Sequence, residues 1–142
     1  MPGNLAPIFW RNSATGETSL WLMGGTTYVS GATVMADPAW MVAQIGDFDG
    51  DGRSDLIWRN AVTGTTSLWL MNGLARVQGV NLVTGSIWVA TQVGDYNGDG
   101  KSDLAWRNSS TGVTALWLMN GGATLSTSTL LTDPSWSLIP LR

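Results

Sequence analysis

Residues 56–72 read LIWRNAVTGTTSLWLMN, and 48 positions later residues 104–120 read LAWRNSSTGVTALWLMN. Residues 8–24 carry the same pattern as IFWRNSATGETSLWLMG. A further tryptophan recurs at the same spacing, at Trp40, Trp88 and Trp136, so the nine tryptophans divide evenly among three units. The 142 residues are therefore close to three whole units, with no insertion between them. Self-similarity at a period of this length is typical of repeat architectures.

Each unit predicts four short strands separated by turn residues. In the last complete unit the predicted strands are Trp88–Val93, Leu104–Asn108, Thr114–Met119 and a weaker one at Ala123–Leu131. Strands such as Leu68–Met71 are apolar on both faces, so both faces must be covered. A four-stranded antiparallel sheet that is covered on both sides by copies of itself describes a propeller blade. The sequence therefore predicts an all-β β-propeller, with residues 1–142 forming one segment of three four-stranded blades.

The strands with which the chain begins and finishes indicate how such blades could close into a ring. The chain begins with a second strand (Ile8–Asn12) and finishes with a first strand (Trp136–Leu141), giving the order 2-3-4, 1-2-3-4, 1-2-3-4, 1. Three blades are too few for a ring, because propellers have about four to eight. We therefore expect head-to-tail homo-oligomerisation, with two chains giving six blades and a trimer of nine blades as the alternative. A fragment of a longer parent, or an engineered repeat, would have the same sequence pattern.

Composition excludes several kinds of chemistry. The chain has no Cys and no His, so thiolate chemistry and a Ser-His-Asp triad are ruled out. The net charge is −3 and the seven basic residues form no run, which argues against nucleic acid as a partner. No apolar run is long enough to span a membrane, and the first residues lack the pattern of a secretory signal. The only glutamate, Glu17, has no evident acid/base partner, so we do not expect an enzyme such as a polysaccharide-degrading propeller.

Seven of the ten acidic residues fall in two nine-residue windows, which begin at Asp47 and Asp95. Each window has oxygen-bearing side chains at positions 1, 3, 5 and 9, a glycine at position 6 and a backbone carbonyl at position 7. This spacing is typical of a calcium loop. An EF-hand is excluded, because position 12 is tryptophan and the flanks are strands. A solvated Asp/Gly turn and a magnesium site are the alternatives, and we expect two calcium ions per chain.

Residues 46–60, which read GDFDGDGRSDLIWRN, resemble the FG-GAP/VCBS repeat of bacterial secreted and surface proteins. The same calcium loop occurs in integrin α-subunit propellers and in some fungal lectins. The resemblance implies a calcium-stabilised propeller used for adhesion or ligand binding, in a secreted or cell-surface setting. Carried over by position, the implied metal ligands are Asp47, Asp49, Asp51, Arg53 and Asp55, together with Asp95, Asn97, Asp99, Lys101 and Asp103.

The tryptophans and arginines have two possible roles. The six mid-strand tryptophans are expected to fill the space between blades: Trp10, Trp21, Trp58, Trp69, Trp106 and Trp117. Trp40, Trp88 and Trp136 lie where a turn meets a strand and could contact a ligand. The repeated Arg11, Arg59 and Arg107 could bind a ligand carboxylate or satisfy backbone carbonyls. The leading hypothesis is a non-catalytic module that binds a glycan or a surface protein, and the alternative is a purely structural, self-assembling propeller.

Overall fold

The computed structural model describes residues 6–139, which form eleven antiparallel strands in three sheets and contain no helix. The first sheet comprises β1 (Pro7–Arg11), β2 (Thr18–Gly24) and β3 (Thr27–Met35). The second comprises β4 (Trp40–Gly46), β5 (Asp55–Asn60), β6 (Thr66–Asn72) and β7 (Ala75–Val83). The third comprises β8 (Trp88–Gly94), β9 (Asp103–Asn108), β10 (Thr114–Asn120) and β11 (Ala123–Leu131). Within each sheet, strands that follow one another along the chain are hydrogen-bonded neighbours.

The strand pattern confirms the all-β prediction and differs from it in one strand. The strands of the third sheet end within one residue of the predicted bounds. The first sheet has three strands, the number that the order 2-3-4 gives it, the other two have four, and the sheets stay open without closing into a ring. The predicted strand Trp136–Leu141 is not formed over residues 136–139, and its remaining residues lie outside the described part of the chain. A strand needs a neighbour for its backbone N–H and C=O groups, and no described strand pairs with this segment through its backbone.

Each hairpin between the second and third strand of a repeat is built by an asparagine. The Asn60 side-chain oxygen accepts hydrogen bonds from the backbone N–H groups of Val62 at 2.9 Å and Thr63 at 3.0 Å. The N–H of Gly64 donates to the Asn60 carbonyl at 2.8 Å, and Gly64 has a φ of 78°. Asn12 and Asn108 organise the same turn in the other two repeats. The recurring asparagine and glycine are therefore explained by turn geometry.

Two apolar cores lie between successive sheets. The first and second sheets enclose Leu20, Leu56, Trp58 and Met71. The second and third sheets enclose a larger cluster, which contains Phe48, Ile57, Leu68, Leu70, Ala90, Leu104, Trp106, Ala115 and Met119. The equivalent tryptophan of the first sheet, Trp10, is 48% exposed, because none of the described strands covers that face. The prediction that all six mid-strand tryptophans lie in a core is therefore wrong for Trp10 and also for Trp21, which is 39% exposed.

Three arginines tie the start of one repeat to its neighbour. The guanidinium of Arg59 donates to the carbonyls of Trp88 at 2.9 Å and Ser86 at 2.7 Å. Arg11 reaches Trp40 and Pro38 in the same way, and Arg107 reaches Trp136 and Pro134. The bonds of Arg11 and Arg59 hold the segments that lead into the first strand of the next sheet, and those of Arg107 hold the equivalent segment after the third sheet. The structure thus places these guanidinium groups on backbone carbonyls, one of the two roles considered for them.

Candidate metal centres

The loop between β4 and β5 brings three carboxylates together. One oxygen atom from each of Asp47, Asp49 and Asp55 lies within 4.8 Å of the other two. Asp55 begins β5 and is fully buried, whereas Asp47 and Asp49 are partly exposed. Hard oxygen donors at this separation suit a calcium ion, which takes six to eight oxygen ligands. The donor set of the first loop therefore fits the metal that the sequence predicts.

The backbone of this loop wraps around the Asp47 carboxylate. Its Oδ1 accepts hydrogen bonds from the N–H groups of Gly50 at 2.9 Å and Asp51 at 3.1 Å, and its Oδ2 accepts one from Gly52 at 2.8 Å. Gly50 and Gly52 adopt φ values of 77° and 81°, a region that other residues rarely enter. An ionised carboxylate has about four lone-pair sites, so these three bonds leave capacity for a cation.

Asp55 is held at the base of the loop by two buried hydrogen bonds. Its oxygens accept from the backbone N–H of Phe48 and from that of Met71 in β6, both at 2.8 Å. Burial raises the pKa of Asp55 to about 6 against the effect of these two bonds, and the negative charges of Asp49 and Asp51 add to the rise. Burial also raises the pKa of Asp49, and its contacts with the neighbouring aspartates contribute. A cation among these carboxylates would offset their mutual repulsion.

The loop between β8 and β9 repeats this wrapping with one negative charge fewer, because Asn97 stands where the first loop has Asp49. Asp95 accepts from Gly98 and Gly100, both at 2.8 Å, and the Gly100 bond contributes most to lowering the pKa of Asp95. Asp103 accepts from Tyr96 at 2.9 Å and Met119 at 2.8 Å, as Asp55 does in the first loop. Among the described residues, a close trio of acidic side chains occurs in the first loop alone.

In the predicted metal sites, the residue at the seventh loop position supplies its backbone carbonyl as a ligand. The side chains at this position, Arg53 and Lys101, contact other groups. The Arg53 guanidinium lies 3.5 Å from an Asp51 oxygen. The Lys101 ammonium donates to the Asn120 side-chain oxygen at 2.8 Å, which attaches the second loop to the end of β10. Neither cation sits among the clustered carboxylates of Asp47, Asp49 and Asp55.

The first loop also connects the second sheet to the third. The Asp47 carbonyl accepts from the Ser102 N–H at 2.7 Å, and the Asp47 N–H donates to the Ser102 hydroxyl at 3.0 Å. The Phe48 carbonyl accepts from the Gly121 N–H at 2.7 Å, and the Phe48 ring is fully buried in the core between the two sheets. These contacts could not be predicted from the sequence, because they depend on which residues of the next repeat lie opposite.

The tryptophans proposed as ligand contacts are spread over the molecule. Trp40 is half-buried against the core between the first two sheets, and Trp88 is half-buried against the next core. Trp136 is 64% exposed. The structure brings none of the three together.

A groove of about 420 Å³ lies between the second and third sheets. Its walls include the indoles of Trp88, Trp106 and Trp117, and the exposed segment 127–129 of β11 adds three hydroxyl side chains. Trp69 is the equivalent of Trp117 in the second sheet. The Arg76 guanidinium covers the Trp69 ring at 5.0 Å from the ring centre. The third repeat has the small Thr124 where the second has Arg76. This groove is a candidate binding site that was not predicted from the sequence. Of the residues that line it, only Trp88 was predicted to contact a ligand.

Three open antiparallel sheets that pack through apolar faces, with an Asp/Gly loop between the first two strands of the second and of the third sheet, are typical of a propeller-like repeat protein. Residues 47–106 match the family model described as the FG-GAP-like repeat. The chain therefore carries FG-GAP-like repeat sequence, which confirms the resemblance drawn from its loops and strands. No match was found among curated proteins or among solved structures. Within residues 6–139, no helix is suited by length and apolarity to crossing a membrane.

Proposed function

We propose that the chain is a non-catalytic, calcium-binding propeller module that recognises an extracellular ligand, with a glycan as the first candidate. The observation that carries the calcium assignment is the convergence of Asp47, Asp49 and Asp55 within 4.8 Å in a loop whose amides are already turned inward. FG-GAP-like repeats are generally non-catalytic, which supports a binding role. Such a module belongs on a secreted or cell-surface protein, where free calcium is abundant enough for moderate-affinity sites.

The proposed role of calcium is to strengthen the joint between blades. The loop that would hold the ion donates and accepts the hydrogen bonds to Ser102 and Gly121 of the next sheet. An ion at Asp47 would therefore fix the backbone on both sides of this joint. Calcium suits the loop better than magnesium, because magnesium needs a tighter octahedral set and retains more water.

Titration calorimetry with calcium chloride, combined with thermal unfolding in calcium or chelator, tests the metal assignment. At about 100 times the dissociation constant one site contributes about 2.7 kcal/mol, which corresponds to a rise in Tm of about 5–11 °C. Asp49→Asn should reduce the affinity of the first site. Asp37→Asn, an exposed carboxylate outside both loops, is the matched control. Absence of calcium binding to the unmodified chain, or stronger binding of magnesium, would contradict the assignment.

The groove beside β11 is the proposed ligand site. Sugars present apolar ring faces and hydroxyl groups, so they suit an aromatic surface next to hydroxyl side chains. The uncovered indole of Trp117 lies beside Trp88 and the segment 127–129 in this groove. A second groove, between the first two sheets, is lined by the equivalent tryptophan, Trp69, with Arg76 over its ring, which limits stacking there.

A glycan array probed with the calcium-loaded protein tests this site. Trp117→Ala should abolish binding and leave the far-ultraviolet circular dichroism spectrum unchanged, whereas Trp69→Ala, its covered equivalent, should retain binding. Trp88→Ala provides a second variant on the other wall of the groove. A glycan signal that survives both groove variants, or the lack of any signal from the unmodified protein, would overturn the glycan assignment.

A further inference from the structure

The first sheet has a free edge and a free apolar face. Strand β1 pairs with β2 alone among the described strands, whereas its equivalents β5 and β9 each pair on both sides. Trp10 of β1 is 48% exposed, while its equivalents Trp58 and Trp106 are at most 1% exposed. The ring centres of Trp10 and Trp21 lie 5.1 Å apart at an interplanar angle of 58°, close to the 5.2 Å and 60° of Trp58 and Trp69. This face therefore resembles an interior surface that none of the described strands covers.

The third sheet presents the complementary half of the same joint. Phe48 of the first loop is fully buried against the third sheet, whereas its equivalent Tyr96 is 44% exposed. The Phe48 carbonyl accepts from Gly121, which has a φ of 60°, and the equivalent glycine of the first sheet, Gly25, has a φ of 61°. The third sheet and the first thus carry the same groups that join the second sheet to the third, and within residues 6–139 these groups do not meet each other.

The segment that leads out of the third sheet is already shaped as a first strand. Arg107 holds the carbonyls of Trp136 at 2.7 Å and Pro134 at 3.1 Å, as Arg59 holds the equivalent residues in front of β8. The Gln92 side chain donates to the Ile139 carbonyl, as Gln44 does to Thr91. Residues 136–139 nevertheless remain outside any sheet.

We propose that residues 136–139 of one copy pair with the free edge of β1 in a second copy, and that the Tyr96 face of the first copy covers Trp10 of the second. The pairing of β4 with β5 gives the register by subtraction of the repeat length: Trp136 lies opposite Asn12, and Leu138 lies opposite Trp10. The partner is a second copy of this chain because its third and first sheets repeat the two halves of the joint between the second and third sheets, and its first and second sheets pack through the same apolar faces.

Two copies close the ring. The joint is heterologous, because the first sheet of one copy meets the third sheet of the other. Each copy therefore carries both halves of the joint, and the assembly must close into a ring to avoid open filaments. Two chains give six sheets, within the usual range of about four to eight blades, and three would give nine. This assembly depends on strand pairing and apolar burial, and it does not require the proposed calcium or glycan sites.

Light scattering measures the assembly directly. The unmodified protein should show twice the 15.1 kDa mass of one chain. Trp10→Glu and Tyr96→Glu each place a charge on one half of the joint, and each should halve the mass while the circular dichroism spectrum persists. Val62→Glu is the matched control, because Val62 is an exposed apolar residue in a turn away from both faces, and it should leave the mass unchanged.

Mixing the two variants separates a head-to-tail joint from a face-to-face dimer. In a head-to-tail assembly the intact third sheet of Trp10→Glu meets the intact first sheet of Tyr96→Glu, so the mixture should recover the mass of two chains. A one-chain or three-chain mass for the unmodified protein would overturn the proposal. A dimer that survives Tyr96→Glu would overturn it as well, because a joint between two Trp10 faces does not use Tyr96.

Discussion

At the scale of single residues, the guanidinium of Arg59 stabilises the molecule by bonding two carbonyls of the next repeat. Arg59→Met removes both donors and leaves the carbonyls of Ser86 and Trp88 without these partners. Hydrogen bonds from a charged donor contribute about 1.5–3 kcal/mol, so we expect a loss of roughly that size in the free energy of unfolding. Urea titration in saturating calcium measures it.

Arg53→Met is the control for this change. Arg53 makes a surface ion pair with Asp51 at 3.5 Å, and exposed pairs contribute about 0–1 kcal/mol. Equal losses for Arg53→Met and Arg59→Met would mean that the contacts to the carbonyls add nothing beyond the removal of a positive charge.

The difference between Asp49 and Asn97 predicts unequal calcium sites. The first loop has four aspartates at the ligand positions and the second has three. Calcium affinity increases with the charge of the ligand set, so the first loop should bind more tightly. Asn97→Asp should raise the affinity of the weaker site, and Asp49→Asn should lower that of the stronger one by a similar factor. Calorimetry of the two variants together with the exchanged double variant checks the prediction. Identical affinities in all chains would contradict it.

At the scale of the strands and turns, glycine is required at position 64 by its backbone conformation and by the atoms packed against it. Its φ is 78°, and a Cβ at this position would lie 2.5 Å from the Ser86 Cα. Gly64→Ala must therefore displace the segment that leads into β8, with an expected cost of about 1–3 kcal/mol. Thermal unfolding in the presence of calcium measures the loss of stability.

Gly85→Ala is the matched control in the same turn region. A Cβ there meets nothing within 4 Å, and Gly85 is not among the glycines with positive φ. The substitution should be neutral or should stabilise the fold by about 0.4–1 kcal/mol, because it restricts the unfolded chain. If Gly85→Ala is as unstable as Gly64→Ala, neither the lack of room for a Cβ atom nor the positive φ explains why glycine is needed at position 64.

Strands, turns and Asp/Gly loops could be predicted from the sequence because local patterns determine them. Apolar runs bounded by Asn and Gly fix each strand, and the spacing of aspartates fixes each loop. The solvent exposure of individual side chains could not be predicted in the same way. Trp10 and Trp58 sit in nearly the same local sequence, yet one is half exposed and the other is fully buried. The difference comes from whether another sheet lies opposite, and the contact between Phe48 and Gly121 was missed for the same reason.

At the scale of the whole molecule, the first loop should couple calcium binding to the joint between the second and third sheets. Chelation should accelerate hydrogen exchange at the N–H groups of Ser102 and Gly121, which donate to the carbonyls of Asp47 and Phe48. The turn N–H of Gly112, which donates to Asn108 within its own hairpin, is the internal reference and should change little. Faster exchange confined to residues 47–55 would contradict the coupling.

The arginine contacts have a consequence for how chains of this kind can change in length. Because Arg11 and Arg59 each bridge two successive sheets, and Arg107 holds the segment that follows the third sheet, the unit that repeats in the sequence is shifted relative to the sheet that forms in space. Recombination that inserts or deletes one 48-residue unit, at whatever point it cuts, therefore restores the same contacts on both sides of the cut. Repeat number can vary by whole units without the appearance of any new interface. Selection on such a gene can act on copy number separately from selection on the residues that bind.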